Sequence, residues 1–213
     1  MLAYYLQYFD TVELNNTFYR LPQTGALENW RESTPPNFCF AAKGSRFLTH
    51  MLKLKNPERA LERFLDAVEV LREKLGPILF QLPPHWQLDL DRLAHFLNAL
   101  PKHHRYAFEF RNETWNVPQI YDLLANHNAG YCIFDLAGYQ SPIEVTSDLI
   151  YIRLHGPGGK YQGSYSDDAL SGWVARIDKW RQQGKATYVY FDNDQAGYAA
   201  QNALRLRDLL RAK

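Results

Sequence analysis

The stretch YAFEFRNETW, residues 106–115, has the pattern of a core strand that carries two charges. Side chains of an extended chain alternate between faces, so Phe108 and Phe110 leave on one side while Glu109 and Arg111 leave together on the other. Burying a carboxylate and a guanidinium is costly unless they are paired or serve a polar recess. The stretch therefore predicts a fold in which one face of each strand points into a shared, lined cavity.

Six other runs rich in β-branched and aromatic residues share its character: TVELNN (11–16), FCFAAK (38–43), PILFQL (77–82), GYCIFDL (130–136), LIYIRLHG (149–156) and TYVYFDN (187–193). Segments of helical periodicity separate most of them. In 57–75, Ala60, Leu61, Phe64, Leu65, Val68 and Leu71 mark one face, and Gly76-Pro77 is expected to end the helix. Further helices are predicted over 25–33, 89–100, 117–126, 167–183 and 196–211, with 137–148 irregular.

Strands that alternate with helices imply parallel pairing through helical crossovers, either in an open sheet or in a closed barrel. Glu13, Lys43, Gln81, Glu109, Arg111, Asp135, Arg153 and His155 come from six runs, each near the run's C-terminal end. Polar groups from that many strands converge most naturally at the mouth of a (β/α) barrel. No linker or change of composition divides the chain, so a single (β/α)-barrel domain is expected over 1–213.

With 213 residues, 46% of them hydrophobic and 22% charged, the chain can bury a substantial core. A formal net charge of +1 supplies no overall field toward nucleic acid or acidic membranes, although a local basic groove would still permit nucleic acid. Cys39 and Cys132 lie in apolar runs and read as reduced core thiols of a cytoplasmic protein. No apolar stretch approaches membrane-spanning length, so no membrane partner is expected, and no oligomeric state follows from the sequence.

The motifs FDTVELNNTFYRLP, FAAKGSRFLTH, KLGPILFQLPP, AFEFRNETW, YIRLHGPGGKYQGSYS and YVYFDND, in this order, resemble the YecE-like proteins, the domain of unknown function 72. The resemblance covers nearly the whole chain. It implies a TIM-barrel-like fold and brings no established activity. Members of that family usually begin with a further strand bearing a Gly-Ser-Gly-Trp-like motif. Nothing like it precedes Met1, and LAYYLQYF resembles the end of the helix that would follow it. Seven strands in an open or distorted barrel are therefore expected, with unpaired edges where the first strand would lie.

Several groups could do chemistry at such a mouth. Lys43 and Glu109 are opposite charges on strands two apart: a proton carrier with its tuning partner, or a structural ion pair. Arg46, Arg111 and Arg153 could clamp a phosphate or carboxylate, or could neutralise Glu13, Glu109 and Asp135. His155, beside the Gly-rich stretch 156–159, is the best acid-base candidate. Glu13, Asn15, Gln81 and Asp135 would add polar contacts to a substrate. Trp115, Tyr161 and Tyr165, with Tyr19, would offer stacking surfaces or pack the rim.

His50 falls on a loop of unpredicted course, and His103-His104 reads as solvated surface. HGPGGKYQGS lacks the spacing of a phosphate loop, and DNDQAG fails as a calcium loop, leaving Asp194 as a helix N-cap. No cofactor is predicted; a divalent metal on Glu13, Glu109, Asp135 and His155 is the one alternative the ligand chemistry allows. The expected function is an enzyme working by acid-base chemistry on a small anionic ligand, such as a phosphorylated sugar or a nucleotide-like molecule. A non-catalytic anion or nucleic-acid binding module stands as the alternative, and a metal-dependent nuclease-like repair protein as the third.

Overall fold

A computed structural model describes residues 2–212 and places a strand on each of the seven runs. The chain forms two units, one ending at Ala129 and the other beginning at Gly130.

In the first unit β1 (Thr11–Leu14), β2 (Cys39–Lys43), β3 (Leu75–Leu82) and β4 (Tyr106–Phe110) pair in that order, all parallel. The connections are helical, as parallel pairing requires. After the short α1 (Leu2–Tyr5) and α2 (Asn16–Tyr19) come α3 (Thr24–Glu32), α4 (Glu58–Val68), α5 (Leu90–Ala99) and α6 (Pro118–Asn126). Leu61, Phe64, Leu65 and Val68 are the buried face of α4, and Leu93, Phe96 and Leu97 that of α5. The Asp89 side chain caps α5 by accepting the Arg92 N–H at 3.1 Å, and Pro118 opens α6 at a position where no N–H is needed. Phe80 of β3 meets Phe64 at 6.2 Å and Phe96 at 4.9 Å between ring centres, which identifies the helix-facing side of the sheet.

One boundary differs from the expectation. The regular helix over 57–75 stops at Val68, and a 3-10 segment, Glu69–Lys74, completes it; Arg72 breaks the helical path at φ 50°. Gly76 and Pro77 do not terminate the helix but already lie in β3. Gly76 serves close packing there, since a Cβ on it would sit 2.2 Å from the Cys39 Sγ.

In the second unit β5 (Gly130–Leu136), β7 (Leu149–Leu154) and β8 (Ala186–Phe191) are parallel neighbours. The stretch read as irregular contains a further strand, β6 (Tyr139–Gln140), which turns back antiparallel onto the end of β5. Ala137 and Gly138, at φ 52° and 82°, make the tight hairpin turn; Ala in the first turn position hid a signal that Asn or Asp would have given. α7 (Asp167–Gln182) begins at Ser166, whose hydroxyl accepts the Ala169 N–H at 3.2 Å, and α8 (Tyr198–Arg211) closes the unit. Asp194 is not the cap that the sequence suggested. It sits in right-handed helical conformation before a 3-10 turn, its side chain makes no capping hydrogen bond, and α8 starts instead from Gly197 at φ 76°.

The fold is α/β with seven parallel strands, the TIM-like pattern expected of the alternating sequence. Cys39 and Cys132 are both thiols. Among the described residues no helix is long and apolar enough to cross a membrane.

Candidate functional site

In the first unit the register gathers the charged residues on one face. Glu13 is level with Ala41, Lys43 with Leu79, and Gln81 with Glu109, so Glu13, Lys43, Gln81, Glu109 and Arg111 leave the sheet on the side opposite the helices. Glu109 is 0% exposed, and its carboxylate accepts a hydrogen bond from the Arg111 Nε. The two charges of YAFEFR are thus joined to each other, two residues apart in the chain.

Lys43 ends β2, with its Nζ 4.6 Å above the centre of the Phe18 ring. The same ring meets His50 edge-on at 5.1 Å. His50 stands on a π-helical turn, Phe47–Met51, where its Nδ1 lies 2.9 Å from the Thr49 hydroxyl. Burial, then the charges of Arg46 and Lys43, lower its pKa to about 4. The Thr17 hydroxyl contacts the carbonyls of Leu14 and Lys43, each at 2.7 Å, and ties α2 across the ends of β1 and β2. Asn15 and Arg46 are exposed. Trp115 offers no stacking face to a ligand: it is fully buried, stacked on Phe110 at 5.1 Å, with its indole N–H donating to the Trp86 carbonyl at 2.7 Å. Packing the rim is its role.

In the second unit Arg153 and His155 follow one another on one face of β7, and the main chain of Asp192 extends β8 beside them through a 2.8 Å bond to the Leu154 carbonyl. One Asp192 oxygen lies 2.8 Å from the Arg153 Nη2 and 3.2 Å from the His155 Nδ1. The Arg153 Nη1 is 3.4 Å from the His155 Nε2. Neither that Asp192 oxygen nor the His155 Nδ1 makes a hydrogen bond in this arrangement, so their contact is one of charge and proximity. Arg153 and His155 are 2% and 1% exposed.

The loop after β7 covers this group. Its Tyr161 ring lies 5.6 Å from that of His155, and the Tyr161 N–H donates to the His155 carbonyl at 2.7 Å. Gly156, at φ 115°, would place any Cβ 2.2 Å from the Gln162 carbonyl, so the turn depends on glycine. Tyr165 accepts the Gly156 N–H at 3.0 Å, and its own N–H donates to Asn202 of α8 at 3.1 Å.

Asp135 does not join Arg153. In register it is level with Leu154, whereas Arg153 is level with Phe134, so Asp135 leaves the sheet on the opposite face. It hydrogen-bonds there with Tyr165. Burial raises the Asp135 pKa while that bond pulls the other way, and burial raises the Tyr165 phenol as well.

The family model described as "Protein of unknown function DUF72" matches residues 1–213. The chain belongs to the DUF72 family. It is 26% identical to UPF0759 protein YunF of Bacillus subtilis, over 98% of this chain and 86% of that protein. It is 32% identical to UPF0759 protein YecE of Escherichia coli K12, over 52% of this chain and 41% of that protein. Among solved structures, a DUF72 protein of Thermotoga maritima superimposes with a TM-score of 0.88 at 28% identity, covering 99% of this chain and 88% of the other. A DUF72 protein of Enterococcus faecalis gives 0.88 at 22% identity with the same coverage.

For this DUF72 chain the sequence reading missed Asp192, although YVYFDND was among the motifs that carried the resemblance. Like His155, Asp192 follows directly on the C-terminal end of a strand. Metal-type geometry also occurs away from the predicted carboxylates. Ligand atoms of Glu69, His103 and His104 lie within 4.8 Å of one another, with the Glu69 carboxylate 2.7 Å from the His104 Nε2. Hydrogen bonding to His104 is the main influence holding Glu69 below the usual carboxylate range.

Proposed function

We propose that this DUF72 protein is an enzyme acting by proton transfer on a small anionic substrate, a phosphorylated sugar or a nucleotide-like molecule, with His155 as the acid-base group. The observation that carries the reading is the Asp192 carboxylate at the His155 Nδ1. A small rotation of that carboxylate would let it accept from Nδ1 and fix the ring for proton exchange at Nε2, which now faces the Arg153 Nη1. Arg153 supplies positive charge beside the same nitrogen, and an anion arriving there would compete with Asp192 for it. The Tyr161 ring lies over His155 and would have to move for substrate to reach Nε2.

The test is turnover by the purified protein across sugar phosphates, nucleotides and abasic DNA, read by mass change. His155→Gln should lower kcat about 100-fold or more, the usual contribution of general acid-base catalysis. Tyr161→Ala should change KM more than kcat.

A second reading, a non-catalytic module that binds a small anion, draws support from the burial of His155 and from the Arg153 guanidinium beside its imidazole. A ligand that raises the melting temperature while no member of the panel is converted would favour this reading and sink the first.

A further inference from the structure

We infer that the loops after β1 and β2 form a binding pocket for an organic phosphate that carries an aromatic ring, of about mononucleotide size. The cavity measures about 720 Å³, within the range of small-molecule sites. Arg20, Arg59 and Arg63 line it together with Ser45 and Asn56, and no carboxylate contributes to the lining. Arg59 and Arg63 lie four residues apart on α4 and so share a face, while Arg20 approaches from the segment after α2.

Among the described residues none of these three guanidinium groups forms an ion pair or a side-chain hydrogen bond. Elsewhere arginines are matched: Arg92 with Asp89, and Arg205 with Asp167. All three residues are exposed, so their mutual repulsion is largely screened, and what they offer is several cationic donors to one anion. Guanidinium forks suit phosphate oxygens in particular. A net charge of only +1 over the chain makes the concentration of positive charge here local.

The remainder of the lining selects what carries the phosphate. Tyr19 is 80% exposed and Phe47 48% exposed, so both present aromatic surface at the pocket instead of packing it away. A base or another planar ring stacked on either one would bring an attached phosphate to the arginines. Asn56 of the lining adopts φ 43°, and the residues that lead to it after the π-helical turn, Lys53 and the fully buried Leu54, adopt φ of 48° and 61°. Strain and π-turns of this kind cluster where a ligand is held. The inference uses none of the residues assigned to proton transfer and stands or falls separately from that reading.

Calorimetric titration of the full chain with adenosine 5′-monophosphate, adenosine and inorganic phosphate tests it. The monophosphate should saturate and bind at least about tenfold more tightly than either fragment, since charged hydrogen bonds and ring stacking then act together. Arg59→Ala/Arg63→Ala should weaken it by about tenfold or more, and so should Arg20→Ala on a different segment. Tyr19→Ala should weaken the monophosphate and leave inorganic phosphate unchanged. Failure of the monophosphate to saturate, or wild-type affinity in both arginine variants at unchanged melting temperature, overturns the site. Inorganic phosphate binding as tightly as the monophosphate overturns the ligand class.

Discussion

In the first unit the buried carboxylate of Glu109 meets a guanidinium two residues along its own strand, whereas in the second His155 and Arg153 share a carboxylate that arrives on the neighbouring strand. The first arrangement is local: one strand with period-two alternation brings its partners together. The second exists only once β8 has paired with β7, so its geometry depends on register. Exposure differs as well. The Glu109 side chain is 0% exposed, while that of Asp192 is 16% exposed and can respond to what approaches it. A buried pair two residues apart in the chain suits a structural role, and a shared carboxylate beside an imidazole suits a chemical one.

The contrast is broken most sharply by removing one partner at a time. Arg111→Leu leaves the Glu109 charge buried beside an apolar side chain and should cost about 3–5 kcal/mol of stability in urea unfolding. Glu109→Leu/Arg111→Leu removes both charges of the pair and should recover most of that loss. A double variant as unstable as the single one would mean that Glu109 serves more than its partner on β4. Asp192→Asn keeps the shape but removes the charge shared by Arg153 and His155. It should cost less, about 2 kcal/mol, since the oxygen shared by Arg153 and His155 makes no hydrogen bond that the substitution would break. A loss equal to that of Arg111→Leu would erase the distinction between a structural and a chemical cluster.

What could be read from the sequence follows the same division. Alternation placed Glu109 and Arg111 on one face with no knowledge of any other strand, and helical periodicity found α4 through α8 to within a few residues. Pairing across strands was not legible: Asp192 escaped notice, and Asp135 was grouped with Arg153 although register puts them on opposite faces. Trp115 looked like a rim aromatic because its loop position was visible while the Trp86 carbonyl that fixes it was not. The arginines of α4 carry no signal in isolation, since an exposed helix face with two arginines four apart is ordinary; only the loops after β1 and β2 turn it into the wall of a recess.

Two titrating groups, one in each unit, should give smaller effects. His50, in the first unit, has a pKa lowered from 6.5 to about 4, so its neutral form is the one the fold favours. The unfolded chain binds the extra proton between those values. The contribution is therefore complete above about pH 6.5 and is lost as pH falls toward about 4. Because the ring is only half buried, solvent screening limits the effect to about 1 kcal/mol. His50→Gln should flatten the stability profile between pH 6.5 and 4 by that amount. An unchanged profile would show that the ring charges without cost.

Asp135, in the second unit, has the opposite sign and the smallest expected effect. Burial raises its pKa, so the folded state holds the proton more tightly than the unfolded chain does. The stabilising contribution is present at low pH and is lost as pH rises through the folded-state value, which leaves a penalty at neutrality. Asp135→Asn keeps an acceptor for the Tyr165 hydroxyl and removes the charge. It should make the protein slightly more stable at pH 7, with the difference shrinking on acidification. The hydrogen bond from Tyr165 works against burial, and the measured sign ranks the two. A variant less stable at pH 7 would mean that the bond outweighs desolvation, and that the carboxylate opposite Arg153 belongs with the structural charges of the molecule, as Glu109 does.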